Sequence, residues 1–237
     1  MRKSKEELIE IWLDTESRFK DYPNKITGYK SNRSNSLAHS HGDFNLTVQN
    51  QDCMVVAERL SKLGRTCMLN MASYKHPGGG VMRGAMAQEE ELSRRSNLML
   101  DLTTYDYPLA VNDFIYSRDV TFFKDGNYQL MQPFDCDVIT IAATNLNGLP
   151  MPKNYEAIMR SKVRTMIVEA QNNGCRNLVL SAFGCGVFKN DPYVVAQFFK
   201  DELRLLGAYF DNVVFAIIND HNSVANNFEI FNKILNN

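Results

Sequence analysis

Long apolar runs are missing from this 237-residue chain. None reaches the length needed to cross a bilayer, and the opening stretch MRKSKEELIEIWLD is charged and amphipathic with no signal-peptide core. The expectation is a cytoplasmic protein with no membrane partner. An excess of charge of one sign is lacking too: 26 Lys plus Arg face 27 Asp plus Glu, for a formal net charge of −1. No broad basic field is available to hold a nucleic-acid backbone, so no strong nucleic-acid signal is present. Cysteine is sparse and odd in number. Cys53, Cys67, Cys136, Cys175 and Cys185 include no C-x-x-C pair, and several sit in apolar runs, so buried thiols are expected rather than disulfides. The four histidines offer only His39 and His41 as a conceivable metal pair, with no HExxH, and no metal site is predicted. Neither glycine-rich stretch continues into Gly-Lys-Ser/Thr, and Gly184-x-Gly186 lacks the third glycine of a dinucleotide fingerprint. A Walker A nucleotide site and a Rossmann cofactor are both excluded by that.

What the chain does contain is an ordinary globular composition, 44% hydrophobic and 22% charged, at a length that suits one large domain. Leu8, Ile11, Trp12 and Phe19 are spaced for a helix over 5–19 that lays one stripe on the body. A strand around Leu46–Val48, a helix through Met54–Leu63 and a strand at Thr66–Met71 then form a β-α-β pattern. Further along come a strand over 137–143, a helix Tyr155–Asn172, a strand Leu178–Phe183 and a helix Pro192–Leu206. A strand Val213–Asn219 and a last helix from about Ser223 follow. The aromatic-rich stretch Tyr105–Phe134 reads either as short strands or as a long loop. Apolar strands alternating with helices imply an α/β domain whose sheet is covered on both faces. No repeat or linker divides it.

Ligands in such sheets bind outside the carboxyl ends of the strands. Two glycine-rich loops follow strands here. One runs from Asn70 through His76-Pro-Gly-Gly-Gly80 to Gly84, and the other is Gly184-Cys-Gly-Val-Phe-Lys-Asn190. The second leads into Asp191 as a helix cap and Pro192 as a first helical residue, which predicts backbone N–H groups gathered at a helix N-terminus, a site for an anion. Either loop alone is as readily a tight turn using glycine for positive φ. Together they favour a phosphate-bearing ligand, and Gly186 is expected to bring its backbone close to phosphate in a conformation that a Cβ would obstruct. Beyond the first loop, Gln88-Glu89-Glu90-Glu91 opens a helix, where acids complement the dipole. A carboxyl held beside a bound phosphate-sugar can also act as general acid to a glycosidic oxygen.

Gly78-Gly79-Gly80, seven residues, then Gln88-Glu89-Glu90 resembles the signature of the poly(ADP-ribose) glycohydrolases, in particular their microbial branch. The similarity extends through Leu69–Ser73, Arg95-Ser96, Ile115–Ser117, Val120–Phe123, Val138–Asn145 and Phe183–Pro192, roughly residues 40–220. It implies a macrodomain-like three-layer α/β/α fold with a mixed, largely parallel central sheet, residues 1–40 being an N-terminal helical extension of one domain over 1–237. It also implies hydrolysis of the ribose glycosidic bond of poly(ADP-ribose) or protein-linked ADP-ribose, without metal or redox cofactor. Carried over by residue, Glu90 is the catalytic acid, its pKa raised by burial and by Glu89, and Glu89 hydrogen-bonds the ribose hydroxyls. Gly78, Gly79 and Gly80 wrap the proximal ribose and diphosphate, and Gln88 belongs to the same motif. Gly184, Gly186 and Val187 lend backbone donors to the diphosphate, Phe188 packs against the ligand, and Asn70 ends its strand facing the ribose. His76 is expected to be solvated, and Arg94 and Arg95 to make structural pairs. Arg83 and Met86 within the spacer, and Thr144 where a proline is common, depart from the family's pattern and bear on cleft shape. Two rival readings are a macrodomain that binds ADP-ribose without turnover, and a hydrolase of single ADP-ribose units on protein or nucleic acid.

Overall fold

The computed structural model describes residues 3–22, 26–34, 42–219 and 226–236. In chain order its elements are α1 (Lys5–Ser17), β1 (Thr27–Ser31), β2 (Asn45–Gln49), α2 (Cys53–Ser61), β3 (Thr66–Met71), a 3₁₀ turn (Val81–Arg83), α3 (Gln88–Arg95) and the short α4 (Met99–Leu102). Then come β4 (Phe114–Lys124), β5 (Leu130–Ile141), α5 (Tyr155–Asn172), β6 (Asn177–Leu180), α6 (Pro192–Leu206), β7 (Asn212–Ala216) and α7 (Asn227–Leu235). His39 and His41 lie outside the described residues, as does Ser223, where the last helix was expected to begin.

The seven strands form one sheet in the order β1-β4-β5-β3-β6-β7-β2. The β5-β3-β6-β7-β2 run is parallel, while β4 pairs antiparallel with β5 and with β1. Strand residues alternate between two cores, as the pleat requires. Cys67, Leu69, Val213 and Phe215 face one core with α5, α6 and α7. Met68, Val179, Val214 and Ala216 face the other with residues of α1, α2, α3 and α4. The fold is therefore the expected three-layer mixed α/β, in which the helices cover both faces.

Two expectations need correction. Residues 1–40 are not a helical extension alone, because Thr27–Ser31 is a strand that pairs with Phe114–Arg118 and forms one edge of the sheet. Short polar edge strands such as Thr-Gly-Tyr-Lys-Ser carry no apolar alternation to betray them. Tyr105–Phe134 holds no short strands: after a loop over 105–113, β4 has 11 residues and continues through a hairpin into β5 with 12. The register of that hairpin shifts between Ser117 and Val120, where Asp119 takes a φ of 55°, and this bulge breaks the period-two pattern that would have revealed the strand.

Candidate active site

The carboxyl ends of β3, β5, β6, β7 and β2 open onto a cavity of about 800 Å³. Its wall takes Met71–Ser73 after β3, Ala143 after β5, Ser181–Gly184 after β6, Ala216–Ile218 at β7 and Gln51–Met54 after β2. Pockets of this size hold whole nucleotide-like ligands. Glycine loops supply two facing parts of the wall, Gly79 and Gly80 on one side and Gly184, Gly186, Val187 and Phe188 on the other.

Gln88 explains how α3 is placed. Its side-chain amide accepts from the Met71 N–H at 2.7 Å and donates to the Leu69 carbonyl at 2.5 Å. The last paired residues of β3 and β6 are Met68 and Val179, so Gln88 continues the ladder where β6 no longer reaches. The first turn of α3 is thereby fixed to the end of a central strand, and the next two residues project into the cavity wall.

Glu90 is buried, and both its oxygens accept backbone N–H groups, Oε1 from Gly80 at 2.8 Å and Oε2 from Ala87 at 2.9 Å. Glu89 is buried beside it; its Oε2 accepts from the Ser73 N–H at 2.7 Å and its Oε1 from the Asn70 amide at 3.5 Å. Burial, and secondarily the charge of Glu90, push Glu89 up to about 8 against the hydrogen bond from Ser73. The carboxyl on which the structure places a raised pKa is thus Glu89. A Cβ on Gly79 would stand 2.4 Å from Glu90 Oε1 and 2.9 Å from Glu89 Oε2, so both carboxyls reach the same point on the loop.

Of the residues expected at the site, Glu89, Glu90, Gln88, Gly79, Gly80, Gly184, Gly186, Val187 and Phe188 meet on the cavity. Asn70 and Gly78 do not line it. Asn70 is fully buried behind Glu89, bonded to Thr140 at 3.1 Å and leaving its own Oδ1 without a partner. Gly78 is buried with its α-carbon turned toward Met99. The N-terminus of α6 is likewise no part of the wall, since Asp191 and Pro192 do not line the cavity and Asp191 itself accepts the Tyr193 N–H at 2.8 Å. Positive φ in that loop belongs to Gly184, at 76°, and Lys189, at 58°, and not to Gly186. A Cβ at Gly184 would meet Ala143 and Asn190 at 2.6 Å.

Arg94 and Arg95 both make structural pairs, although Arg95 also lines the cavity. Arg94 has no exposed surface, pairs with Glu91 at 3.2 Å and donates to the Leu8 and Ala85 carbonyls. Arg95 pairs with Asp52 at 2.8 Å. Sequence reasoning missed the Ser73 and Ala87 amides, which give no side-chain signal, and the apolar wall of Ile217 and Ile218.

Strand order, covered faces and a cavity floored by a carboxylate pair beneath a glycine loop define a macrodomain-like α/β protein. Comparison points to one family: residues 13–125, a little under half of the chain, match the model of the microbial-type PARG catalytic domain, the family whose motifs the sequence resembles. The fold is shared with poly(ADP-ribose) glycohydrolase from Thermomonospora curvata, with a TM-score of 0.82 at 24% identity over 97% of this chain and 99% of that one. The same organism's enzyme bound to the inhibitor ADP-HPD gives a TM-score of 0.77 at 25% identity, covering 96% of this chain and 99% of that one. Poly(ADP-ribose) glycohydrolase from Deinococcus radiodurans in complex with ADP-ribose gives 0.72 at 27% identity, covering 98% and 91%. A comparison with curated proteins gives no match. No helix among the described residues is long and apolar enough to cross a membrane.

Proposed function

We propose that this protein hydrolyses the ribose glycosidic bond of poly(ADP-ribose), with Glu90 as the general acid. The observation that carries the reading is the carboxyl pair Glu89 and Glu90, set at the foot of the Gly79-Gly80 loop by three backbone N–H groups inside the cavity. The loop Gly184–Phe188 on the facing wall receives the diphosphate, and the proximal ribose lies over Gly79 and Gly80. Glu89, pushed up to about 8 by burial, contacts the ribose hydroxyls and shares with Glu90 the approach to the Gly79 α-carbon.

Cleavage at the anomeric carbon passes through an oxocarbenium-like state, in which the departing oxygen needs a proton. Glu90 delivers that proton; its carboxylate then draws a proton from the incoming water. General acid catalysis of this kind is worth about 10²–10⁴-fold, and the two loops supply orientation. An ADP-ribosylated macromolecule is the partner this requires. Five free thiols suit a reducing compartment, and on that ground we place the protein in the cytoplasm.

The test is release of ADP-ribose from purified poly(ADP-ribose) by the parent, Glu90→Gln and Glu91→Gln. Glutamine at 90 keeps the shape but cannot hand over a proton, so turnover falls by about 10²–10⁴-fold while ADP-ribose affinity stays within a few-fold. Glu91→Gln keeps most activity, because the Glu91 carboxylate is engaged by Arg94 and by the Tyr128 hydroxyl. An active Glu90→Gln beside a dead Glu91→Gln would sink the assignment. Binding of ADP-ribose with no release by the parent would instead mark a binding module.

A further inference from the structure

The cations around the cavity fall into two groups. Arg94 and Arg95, on α3, are buried and paired with Glu91 and Asp52. Arg83, at the end of the 3₁₀ turn, and Lys75, before the glycine run, are exposed and line the cavity. Neither side chain has a hydrogen bond or ion pair with a described residue; the Lys75 ammonium lies 5.6 Å from the centre of the Tyr74 ring.

Their position relative to the chemistry is fixed by Gly80. The point a Gly80 Cβ would occupy is 3.6 Å from Glu90 Oε1 and 3.9 Å from the Arg83 guanidinium. The arginine therefore stands just beyond the catalytic carboxyl, yet makes no ion pair with it. With the diphosphate loop on the facing wall, a bound ADP-ribose fills the space between that loop and Glu90. Whatever is attached to its anomeric carbon lies past Glu90, on the side of Arg83; Lys75, exposed on the segment leading into the same glycine run, lines the same cavity. Two unpaired cations there, beside two buried carboxyls, provide a place for anionic oxygens that the rest of this wall would repel.

We propose that Arg83 and Lys75 bind the diphosphate of the departing unit, making them specificity residues for a leaving group that is itself a nucleotide chain. The inference rests on the reading of Glu90 as the residue at the scissile bond. A second ADP-ribose unit carries its diphosphate a short distance from the bond to be cleaved, whereas an amino-acid side chain carries none. Poly(ADP-ribose) is favoured over nucleic acid because, among the described residues, two unpaired Lys and Arg side chains serve this wall on a chain of net charge −1, too little for a longer polyanion.

The experiment uses the Glu90→Gln protein, in which turnover is slowed while ligand is held, and compares free ADP-ribose with a two-unit poly(ADP-ribose). Kd is measured for both before and after adding Arg83→Gln and Lys75→Gln. The expected result is that the dimer binds about tenfold more tightly than the monomer, that the two substitutions abolish this advantage, and that monomer affinity changes less than twofold. Arg83→Lys, which keeps the charge, restores part of the preference. Equal affinities for dimer and monomer in the starting protein overturn the proposal. So does an equal loss for both ligands on substitution, which would assign the two residues to the ADP-ribose unit itself. An ADP-ribosylated oligonucleotide that binds more tightly than the dimer overturns the choice of polymer. Because the readout is binding, a parent enzyme that released nothing from polymer would refute the hydrolase reading and leave this result to stand or fall separately.

Discussion

Gly79 has a φ of 60°, in the left-handed region that favours glycine, and its α-carbon faces both cavity carboxyls. A methyl group there would need space that Glu90 Oε1 and Glu89 Oε2 already occupy at 2.4 and 2.9 Å. Gly79→Ala therefore forces either the loop or the carboxyls to move, and a displacement of about 1 Å costs on the order of 10²-fold in rate. We expect kcat to fall at least that far while the protein stays folded, as judged by circular dichroism. Parent-like turnover would show that the close approach is not needed. The glycine run was visible in the sequence as a pattern, but its reason was not. Only the fold shows that Gly79 faces the carboxyls while Gly78 turns toward Met99.

Helix α1 extends this reasoning to the scale of elements. The Thr15 hydroxyl donates to the Arg94 carbonyl at 2.6 Å, the Arg94 guanidinium donates to Leu8 in α1 and to Ala85 in the segment after the glycine run, and Lys124 of β4 reaches Thr15 at 2.6 Å and Asp14 at 2.7 Å. Loop, α3 and α1 are thus tied through one buried guanidinium. Arg94→Ala removes the tie, leaves the Ala85 carbonyl without this donor and takes the ion-pair partner from Glu91, a change of about 3–5 kcal/mol in stability. Urea denaturation checks it, and a loss under about 1 kcal/mol would mean that water replaces the arginine. Element boundaries were legible where punctuation is strong. Thr66–Met71, Tyr155–Asn172 and Pro192–Leu206 fall where Gly64, Asn173-Gly174, Asp191-Pro192 and Gly207 predict. They were illegible where pairing is distant: β1 finds its partner some ninety residues away at 114–118, and nothing local announces it. The site divides in the same way. Side chains at a fixed spacing, such as Gln88, Glu89 and Glu90, could be read, whereas donors that are bare amides could not.

For the molecule as a whole, Glu89 links the site to stability. Its folded-state value of about 8 lies above the 4.5 of an ordinary glutamate, so between these values the folded protein keeps a proton that the unfolded chain has released. The group's contribution to folding therefore becomes less favourable as pH rises from 4.5 and levels off above 8. We expect the melting temperature to fall between pH 5 and 8.5, and the fall to be smaller in Glu89→Gln, whose amide does not ionise. Identical slopes in the two proteins would place the linkage elsewhere. The protein thus tolerates a group that opposes its own folding at neutral pH, as sites that need a held proton do.

The amides that hold the carboxyl pair have a use as indicators. Ser73 donates only to Glu89 among the two, and Gly80 and Ala87 donate only to Glu90. In a ¹⁵N–¹H spectrum the Ser73 signal should move with a midpoint near pH 8, with the Gly80 and Ala87 signals, bonded to the other carboxyl, as the comparison. Three backbone resonances would then tell which of two adjacent glutamates carries the proton, before and after ligand is added, without altering either side chain.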